Sequence, residues 1–382
     1  MIKRTDKFYQ IILIFFFSIW ILIPFLNNNL NFYSEPQVSK TENRNLTKRP
    51  EFNIQLLDPY PAAFTDFFND HIVFRNLMLK EHSNLSYYLF KHSPVPDQVD
   101  IGKDGWLYFG NNDKLIYQGQ KCLSGDEIRN IAKELHRRAV YYKQKGIHFY
   151  FCFAPMKQEI YPEFLPNNYS RSPGGTQTDK IISVIKKDPV IPFIDIKSAL
   201  LESKKYGKMY QKTDHHWSCK AGFYVYSAIM NRIKIDFPEL KPLKASDITY
   251  NQVLRNGGTL ANMIGFDEIL KEDYYFPVIK NAPGRAVKKA GYPPPYWFAY
   301  KDEYENEYEI PDKTMPSLFV IRDSFFYYPM LFLQQNFSRT TLIWDAWMYG
   351  PNLELIDKEK PKIVLIMVYE QNVGSLLKYH IY

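Results

Sequence analysis

Short runs of aliphatic and aromatic residues alternate along this chain with helix-forming stretches, and that alternation limits the possible folds more than any other feature. Ser124 and Glu127 form a capping-box pattern opening a helix that runs to Gly146, and the strand Ile147–Phe153 follows. A helix around Lys180–Lys187, a strand Val190–Ile194 and a helix around Ile196–Lys205 come next. Ser218 caps a helix over Ala221–Ile233. The pattern resumes with strand Ser317–Ile321, helix Phe326–Asn336, strands Thr340–Ile343 and Lys362–Val368, and a last short helix. Strands alternating with helices predict an α/β fold: a largely parallel sheet with helices on both faces. Ligands of such sheets bind at the carboxyl ends of the strands.

Two strings fall at such strand ends or in the loops after them. Thr213-Asp214-His215-His216-Trp217 offers a carboxylate and an imidazole, and Ile321-Arg322-Asp323-Ser324-Phe325 places a serine directly after a strand. A serine hydroxyl attacks carbonyls only when an imidazole takes its proton, and that imidazole needs a carboxylate to fix its tautomer. Asp214 and His216 are two residues apart, so an extended backbone turns both to one face and His215 to the other. His215 is then a supporting residue, although an exchange of roles between the two histidines is compatible with the string. Ser324, at a strand-to-helix turn, has its own N–H and the next one available to a tetrahedral oxyanion. Asp-Ser before a helix is equally an N-cap. A metal site is the rival reading of Asp-His-His, but no second compact ligand cluster stands in the sequence to complete it. Trp217 either packs beneath the histidine or stacks on a sugar.

The run Phe8–Leu26 carries no charge and follows Lys3, Arg4 and Lys7. As a helix rising about 1.5 Å per residue it covers a bilayer core of roughly 30 Å, and the basic flank keeps the N-terminus cytoplasmic. No small-x-small cleavage site follows, which favours an uncleaved anchor over a signal peptide. The expected organisation is a cytoplasmic N-terminus (1–7), a transmembrane signal-anchor (8–26), a juxtamembrane tether (27–59) and a catalytic domain (60–382). Within the last, 257–316 breaks the alternation with Pro293-Pro294-Pro295 and the acidic stretch Asp302–Glu309, and is a candidate cap or lid.

A net charge of +7 is spread along the 382 residues without a long basic run outside the N-terminus, which suits mild affinity for an anionic surface or polymer and argues against a nucleic-acid partner. Neither a P-loop nor zinc-ligand spacing is present, and the reading requires no cofactor. Aromatic residues make up 17% of the chain, a content that suits either sugar stacking or an aromatic core. Cys122, Cys152 and Cys219 are too few for a disulfide scaffold. Cys152 lies in an apolar run and reads as a core thiol, and a single Cys122–Cys219 bridge is compatible with an exported chain.

The string Asp214-His215-His216-Trp217-Ser218 with Ala221-Gly222, and Arg322-Asp323-Ser324-Phe325 downstream, resembles the alginate O-acetyltransferase-like family and its exported DHHW-motif relatives. Further strings agree: Glu42-Asn43-Arg44, Gly102-Lys103-Asp104-Gly105-Trp106-Leu107-Tyr108, Pro155-Met156-Lys157 to Leu165-Pro166, and Gly258-Thr259-Leu260-Ala261-Asn262-Met263. The resemblance covers roughly residues 40–375. It implies an SGNH-hydrolase-like, flavodoxin-like sheet in permuted order, with Ser324 as nucleophile, His216 as general base and Asp214 as its orienting carboxylate. It also implies a polysaccharide acceptor, a membrane-bound O-acyltransferase as acetyl donor, and a periplasmic catalytic domain on the bacterial cytoplasmic membrane. Arg322 departs from the glycine usual before Asp-Ser, which would alter the oxyanion hole or charge the site.

The leading expectation is a membrane-anchored extracytoplasmic O-acetyltransferase working through an acyl-enzyme. The alternatives are a carbohydrate acetylesterase with the same triad and a non-catalytic scaffold of a glycan-assembly complex. Lys157, Tyr161, Trp217, His215 and Arg322 are the candidate substrate contacts, Lys157 and Tyr161 on loop position alone.

Overall fold

In the computed structural model, residues 4–30, 32–33, 46–90 and 92–381 are described. Two compact units emerge, Met1–Val95 with Asn262–Gly265, and Pro96–Ala261 with Phe266–Tyr382. In the first, helix α1 spans Arg4–Leu30 and exposes Ile11, Leu13, Phe15, Phe16 and Phe17. Among the described residues, no helix is long and apolar enough to cross a membrane. Two further helices follow, α2 (Pro59–His71), with proline in its first turn, and α3 (Arg75–Asn84). Glu42-Asn43-Arg44 and much of the expected tether lie outside the described residues.

The second unit begins with an antiparallel hairpin, β1 (Val99–Ile101) and β2 (Leu107–Phe109), then helix α4 (Asn111–Tyr117). The expected capping box is present: the Ser124 hydroxyl accepts from the Glu127 N–H, and the Glu127 carboxylate accepts from the Ser124 N–H, opening α5 (Gly125–Gln144). There follow β3 (His148–Ala154), α6 (Gln177–Ile185), β4 (Phe193–Ile194), α7 (Ile196–Ser203) and α8 (Cys219–Asp236), the last capped by Ser218. Strands β5 (Ile248–Arg255) and β6 (Glu272–Ile279) make a separate hairpin. Strands β7 (Arg285–Ala286), β8 (Glu305–Glu309), β9 (Leu318–Arg322), helix α9 (Tyr327–Leu333), β10 (Arg339–Trp344) and β11 (Ile363–Tyr369) complete it.

The main sheet runs β4-β3-β11-β9-β10-β8-β7. Counted from β9, its parallel strands β9, β10, β11, β3 and β4 take the spatial order 2-1-3-4-5, which is flavodoxin-like. The chain enters this pattern at its fourth strand, which is the permutation the resemblance implies.

Period-two alternation sorts the strand residues into two cores. Tyr150, Cys152, Val320, Leu365 and Met367 pack on one face with Ile229 and Met230 of α8 and Phe332 of α9. Phe149, Phe151, Phe319, Ile321, Val364 and Ile366 pack on the other with Ile131 and Leu135 of α5 and Ile181 of α6. Strands covered on both faces read as continuous apolar runs, which is why β3, β9 and β11 were legible.

Two expectations change. The sheet is mixed, because β8 pairs antiparallel to β10 and β7 antiparallel to β8. The acidic stretch could join a sheet because its acids are partnered. Glu305 accepts the backbone N–H groups of Gly291 and Tyr292, at 3.0 and 2.8 Å, and Glu307 pairs with Arg339. The Cys122–Cys219 bridge is absent: all three thiols are free, Cys122 exposed and the other two buried.

Candidate active site

Ser324 sits where β9 ends, between β10 and β11, at the point where the strand order reverses. Asp323 builds the turn. Its Oδ1 accepts the Phe325 N–H at 2.8 Å, while its Oδ2 accepts the Tyr349 hydroxyl at 2.5 Å and the Tyr369 N–H of β11 at 3.1 Å. Burial pushes this carboxyl up, and those donors pull against it. One expectation fails here, because the Phe325 N–H is taken up by Asp323 and is not open to an oxyanion. The Ser324 N–H opens a three-residue 3₁₀ turn and has no acceptor within it.

The serine hydroxyl lies 2.9 Å from His216 Nε2, and His216 Nδ1 lies 2.9 Å from Asp214 Oδ1. Asp214 Oδ1 also accepts the His216 N–H at 2.9 Å, and its Oδ2 accepts the Thr259 N–H and hydroxyl at 3.0 and 3.2 Å. Burial alone raises the Asp214 carboxyl, but the charge and hydrogen bonds of His216, joined by His215, hold it well below the usual carboxylate range. An ionised carboxylate only accepts, so it selects the tautomer with the proton on Nδ1 and leaves Nε2 free to take the serine proton. His215 packs at a tilt against His216, with ring centroids 3.7 Å apart, and against Phe109 at 4.6 Å. Burial and the neighbouring His216 drive its pKa well down, so it stays neutral. Asp214, His215 and His216 form the one cluster among the described residues with metal-ligand atoms close together, but both His216 nitrogens already have partners.

The loop carrying Asp214 is clamped from two sides. Lys157 is 2% exposed, and its ammonium donates to the carbonyls of Leu107, Lys212 and Asp214 at 2.7, 2.8 and 3.0 Å. Burial lowers Lys157 to about 7, with Glu272 and Asp214 pulling it back. Three carbonyl acceptors require all three protons of the ammonium. Glu272 of β6 accepts the Lys212 and Thr213 N–H groups at 2.9 and 3.0 Å and the Thr213 hydroxyl. Gly258 must be glycine here, since a Cβ would fall 2.5 Å from Asp214 Cβ.

Two cavities meet at Ser324. One, of about 400 Å³, is lined by Asp214, His215, His216, Trp217 and Ser324 together with Tyr300, Glu303, Tyr327, Trp344 and Trp347. The other, of about 360 Å³, is lined by Ser324, Phe325, Gln371 and Asn372. The Asn372 amide makes only a long 3.4 Å bond to the Tyr349 hydroxyl, leaving it able to donate to a group at Ser324. Of the residues singled out from sequence, Asp214, His215, His216, Trp217 and Ser324 converge. Lys157 and Tyr161 line neither cavity, and their burial is at odds with contact to a glycan; the Tyr161 hydroxyl accepts the Met209 N–H at 2.8 Å. Trp217 is buried edge-on against Phe325 at 5.2 Å. Arg322 is buried too, with burial lowering it to about 10. It donates to the carbonyls of Glu303 and Asp323 at 2.8 and 3.3 Å and lies over the Trp344 ring at 5.1 Å, and it is not part of the lining of either cavity. Thr259, Asn372 and the aromatic wall escaped the sequence reading. Thr259 lay within a string of the resemblance, and the wall was visible only as an aromatic content with two explanations.

The chain has an SGNH-like α/β fold that holds a serine, a histidine and an aspartate in hydrogen-bonded series. Residues 99–285 match the family described as "SGNH hydrolase-like domain, acetyltransferase AlgX", which bears out the resemblance drawn from the sequence. The matched stretch contains Asp214 and His216 and ends before Ser324. The probable alginate O-acetylase AlgJ of Pseudomonas aeruginosa is 26% identical over 157 residues, 41% of this chain and 38% of that protein's length. Among solved structures, Bacillus cereus PatB1 is similar with a TM-score of 0.53 at 19% identity, over 71% of this chain and 95% of that one. A DHHW family protein from Eubacterium siraeum is similar with a TM-score of 0.51 at 15% identity, over 75% and 99%. These two likenesses are likenesses of fold.

Proposed function

We propose that this chain is an extracytoplasmic O-acetyltransferase that moves acetyl groups onto polysaccharide hydroxyls through an acyl-enzyme on Ser324. The observation that carries the reading is the series Ser324–His216–Asp214 at 2.9 and 2.9 Å, at the strand-order reversal of the sheet. In the first half-reaction, Ser324 Oγ forms a bond to the acetyl carbonyl as His216 Nε2 takes the hydroxyl proton. The bond to the donor's leaving group then breaks, and His216 returns the proton to that group. In the second, His216 takes the proton of a sugar hydroxyl, whose oxygen bonds to the carbonyl carbon, and gives it to Ser324 as the Oγ–carbonyl bond breaks. The Ser324 N–H and the Asn372 amide are the donors facing the oxyanion.

The likeness to an alginate O-acetylase supports a polysaccharide acceptor, and the family resemblance supports a membrane-bound O-acyltransferase as donor. The uncharged run of the 8–26 segment behind a basic flank supports anchoring in the bacterial cytoplasmic membrane, the catalytic domain being periplasmic. The 257–316 segment would act as a cap, since Thr259, Tyr300 and Glu303 reach Asp214 or the cavity.

The test is peptide mass spectrometry of the full chain after exposure to p-nitrophenyl acetate. An acetyl adduct on Ser324, absent in Ser324→Ala and His216→Ala, is the expected result. A folded protein with neither adduct nor ester turnover would overturn the reading in favour of a scaffold.

A further inference from the structure

The larger cavity at Ser324 is walled by rings and bears no cation. Tyr300 and Trp344 stack at 5.0 Å with their planes 9° apart, and Trp347 stands edge-on to Trp344 at 5.4 Å. Across from them Tyr327 is 51% exposed. Trp344 and Trp217 are both buried in the lining, and neither indole N–H has an acceptor among the described residues. The ionisable groups of the lining other than its tyrosines are Asp214, Glu303, His215 and His216. Among the described residues no lysine or arginine lines the cavity.

The surplus positive charge of the chain therefore lies elsewhere. Arg322 is buried over the Trp344 ring, bonded to the carbonyls of Glu303 and Asp323. Arg255 pulls electrostatically on Tyr274 and Tyr328 but rests over the Phe276 ring, outside the lining. A polyuronate entering this cavity would bring a carboxylate with every sugar toward Asp214 and Glu303, with no guanidinium or ammonium of the described residues in the lining to pair with it. The exposed rings of Tyr300 and Tyr327 instead complement the C–H faces of sugar rings.

Resting on acyl transfer at Ser324, we propose that the acceptor is an uncharged saccharide, held against the Tyr300–Trp344–Trp347 wall with a hydroxyl directed at His216, and not a polyuronate. Intrinsic tryptophan fluorescence of the full chain in detergent, carrying Ser324→Ala to prevent turnover, tests this at low ionic strength. The probes are neutral hexasaccharides (β-1,4-glucan, β-1,4-mannan and β-1,4-galactan), hexamannuronate and the glucosamine hexamer. At least one neutral probe should bind about tenfold or more tighter than either charged one. Tyr300→Ala should weaken that binding about tenfold while Tyr300→Phe retains it, with thermal melts showing both variants folded.

Equal or tighter binding of the uronate or glucosamine probe would overturn the assignment, as would no binding by any neutral probe or an unchanged affinity in folded Tyr300→Ala. The acetyl adduct on Ser324 is read separately. An absent adduct with neutral-sugar binding intact sinks the acyl-transfer reading alone, and a uronate preference with the adduct intact sinks the acceptor assignment alone.

Discussion

Replacing Asp214 by asparagine removes one charge and almost no volume, so it isolates what the carboxylate does. Its two oxygens accept four donors: the His216 N–H and Nδ1–H on one side, the Thr259 N–H and hydroxyl on the other. An asparagine amide must turn its NH₂ toward one of two backbone N–H groups that can only donate, at a cost of about 1 kcal/mol at this partly wetted edge. Turned toward His216, it also donates to Nδ1 and moves the ring proton to Nε2, where the serine proton can no longer be received. Turned toward Thr259, it keeps the tautomer but loses the attraction between carboxylate and the imidazolium formed as Ser324 is deprotonated. At about 4 Å and an effective dielectric constant near 20, that attraction is about 4 kcal/mol, or roughly a thousandfold in rate. Single-turnover acetylation by p-nitrophenyl acetate, followed by nitrophenolate release and adduct mass, should show that loss in Asp214→Asn. A loss smaller than about tenfold in a folded variant would refute the reasoning.

Gly258→Ala should slow acetylation about a hundredfold with little change in melting temperature, because its Cβ would fall 2.5 Å from Asp214 Cβ and displace the carboxylate that aligns His216; stopped-flow acetylation beside a thermal melt checks it. Asp113 accepts the Tyr369 hydroxyl at 2.5 Å, and Tyr369 stacks on Phe325 at 4.3 Å beside the nucleophile. Burial raises Asp113 to about 7 from 3.8. Between those values the folded chain holds a proton that the unfolded chain has released, so this group's contribution to stability falls as pH rises and levels off above about 7. The stability of Asp113→Asn relative to the native chain should accordingly rise from pH 4 to pH 8, measured by urea unfolding at each pH, and a flat difference would contradict the assignment.

Much of the fold was legible because the physics that makes it is local. The capping box at Ser124 and the cap at Ser218 need only neighbouring residues, and β3, β9 and β11 announce themselves because strands buried on both faces tolerate nothing but apolar side chains. Strand β4 was read too long, as Val190–Ile194 against the observed Phe193–Ile194, since an apolar run does not say where pairing stops. Strand β8 was missed because its glutamates look like solvent-facing charge until Arg339 and the backbone N–H groups of Gly291 and Tyr292 are brought to them. At the site, Asp214 and His216 could be paired from a two-residue spacing, whereas Thr259 and Asn372 could not be assigned to them by spacing.

The sequence by itself determined the alternation of strand and helix, the placement of Ser324 after a strand, and the carboxylate–imidazole pair, because each depends on periodicity or on residues within a turn of one another. Only the tertiary structure decided that Lys157 supports the Asp214 loop, that Arg322 is bonded to backbone carbonyls, that the Phe325 N–H is taken up by Asp323, and that the cavity wall is aromatic with no lysine or arginine among the described residues. Those outcomes depend on which groups distant in the chain meet in a medium of low dielectric, where every buried donor and charge must find its partner.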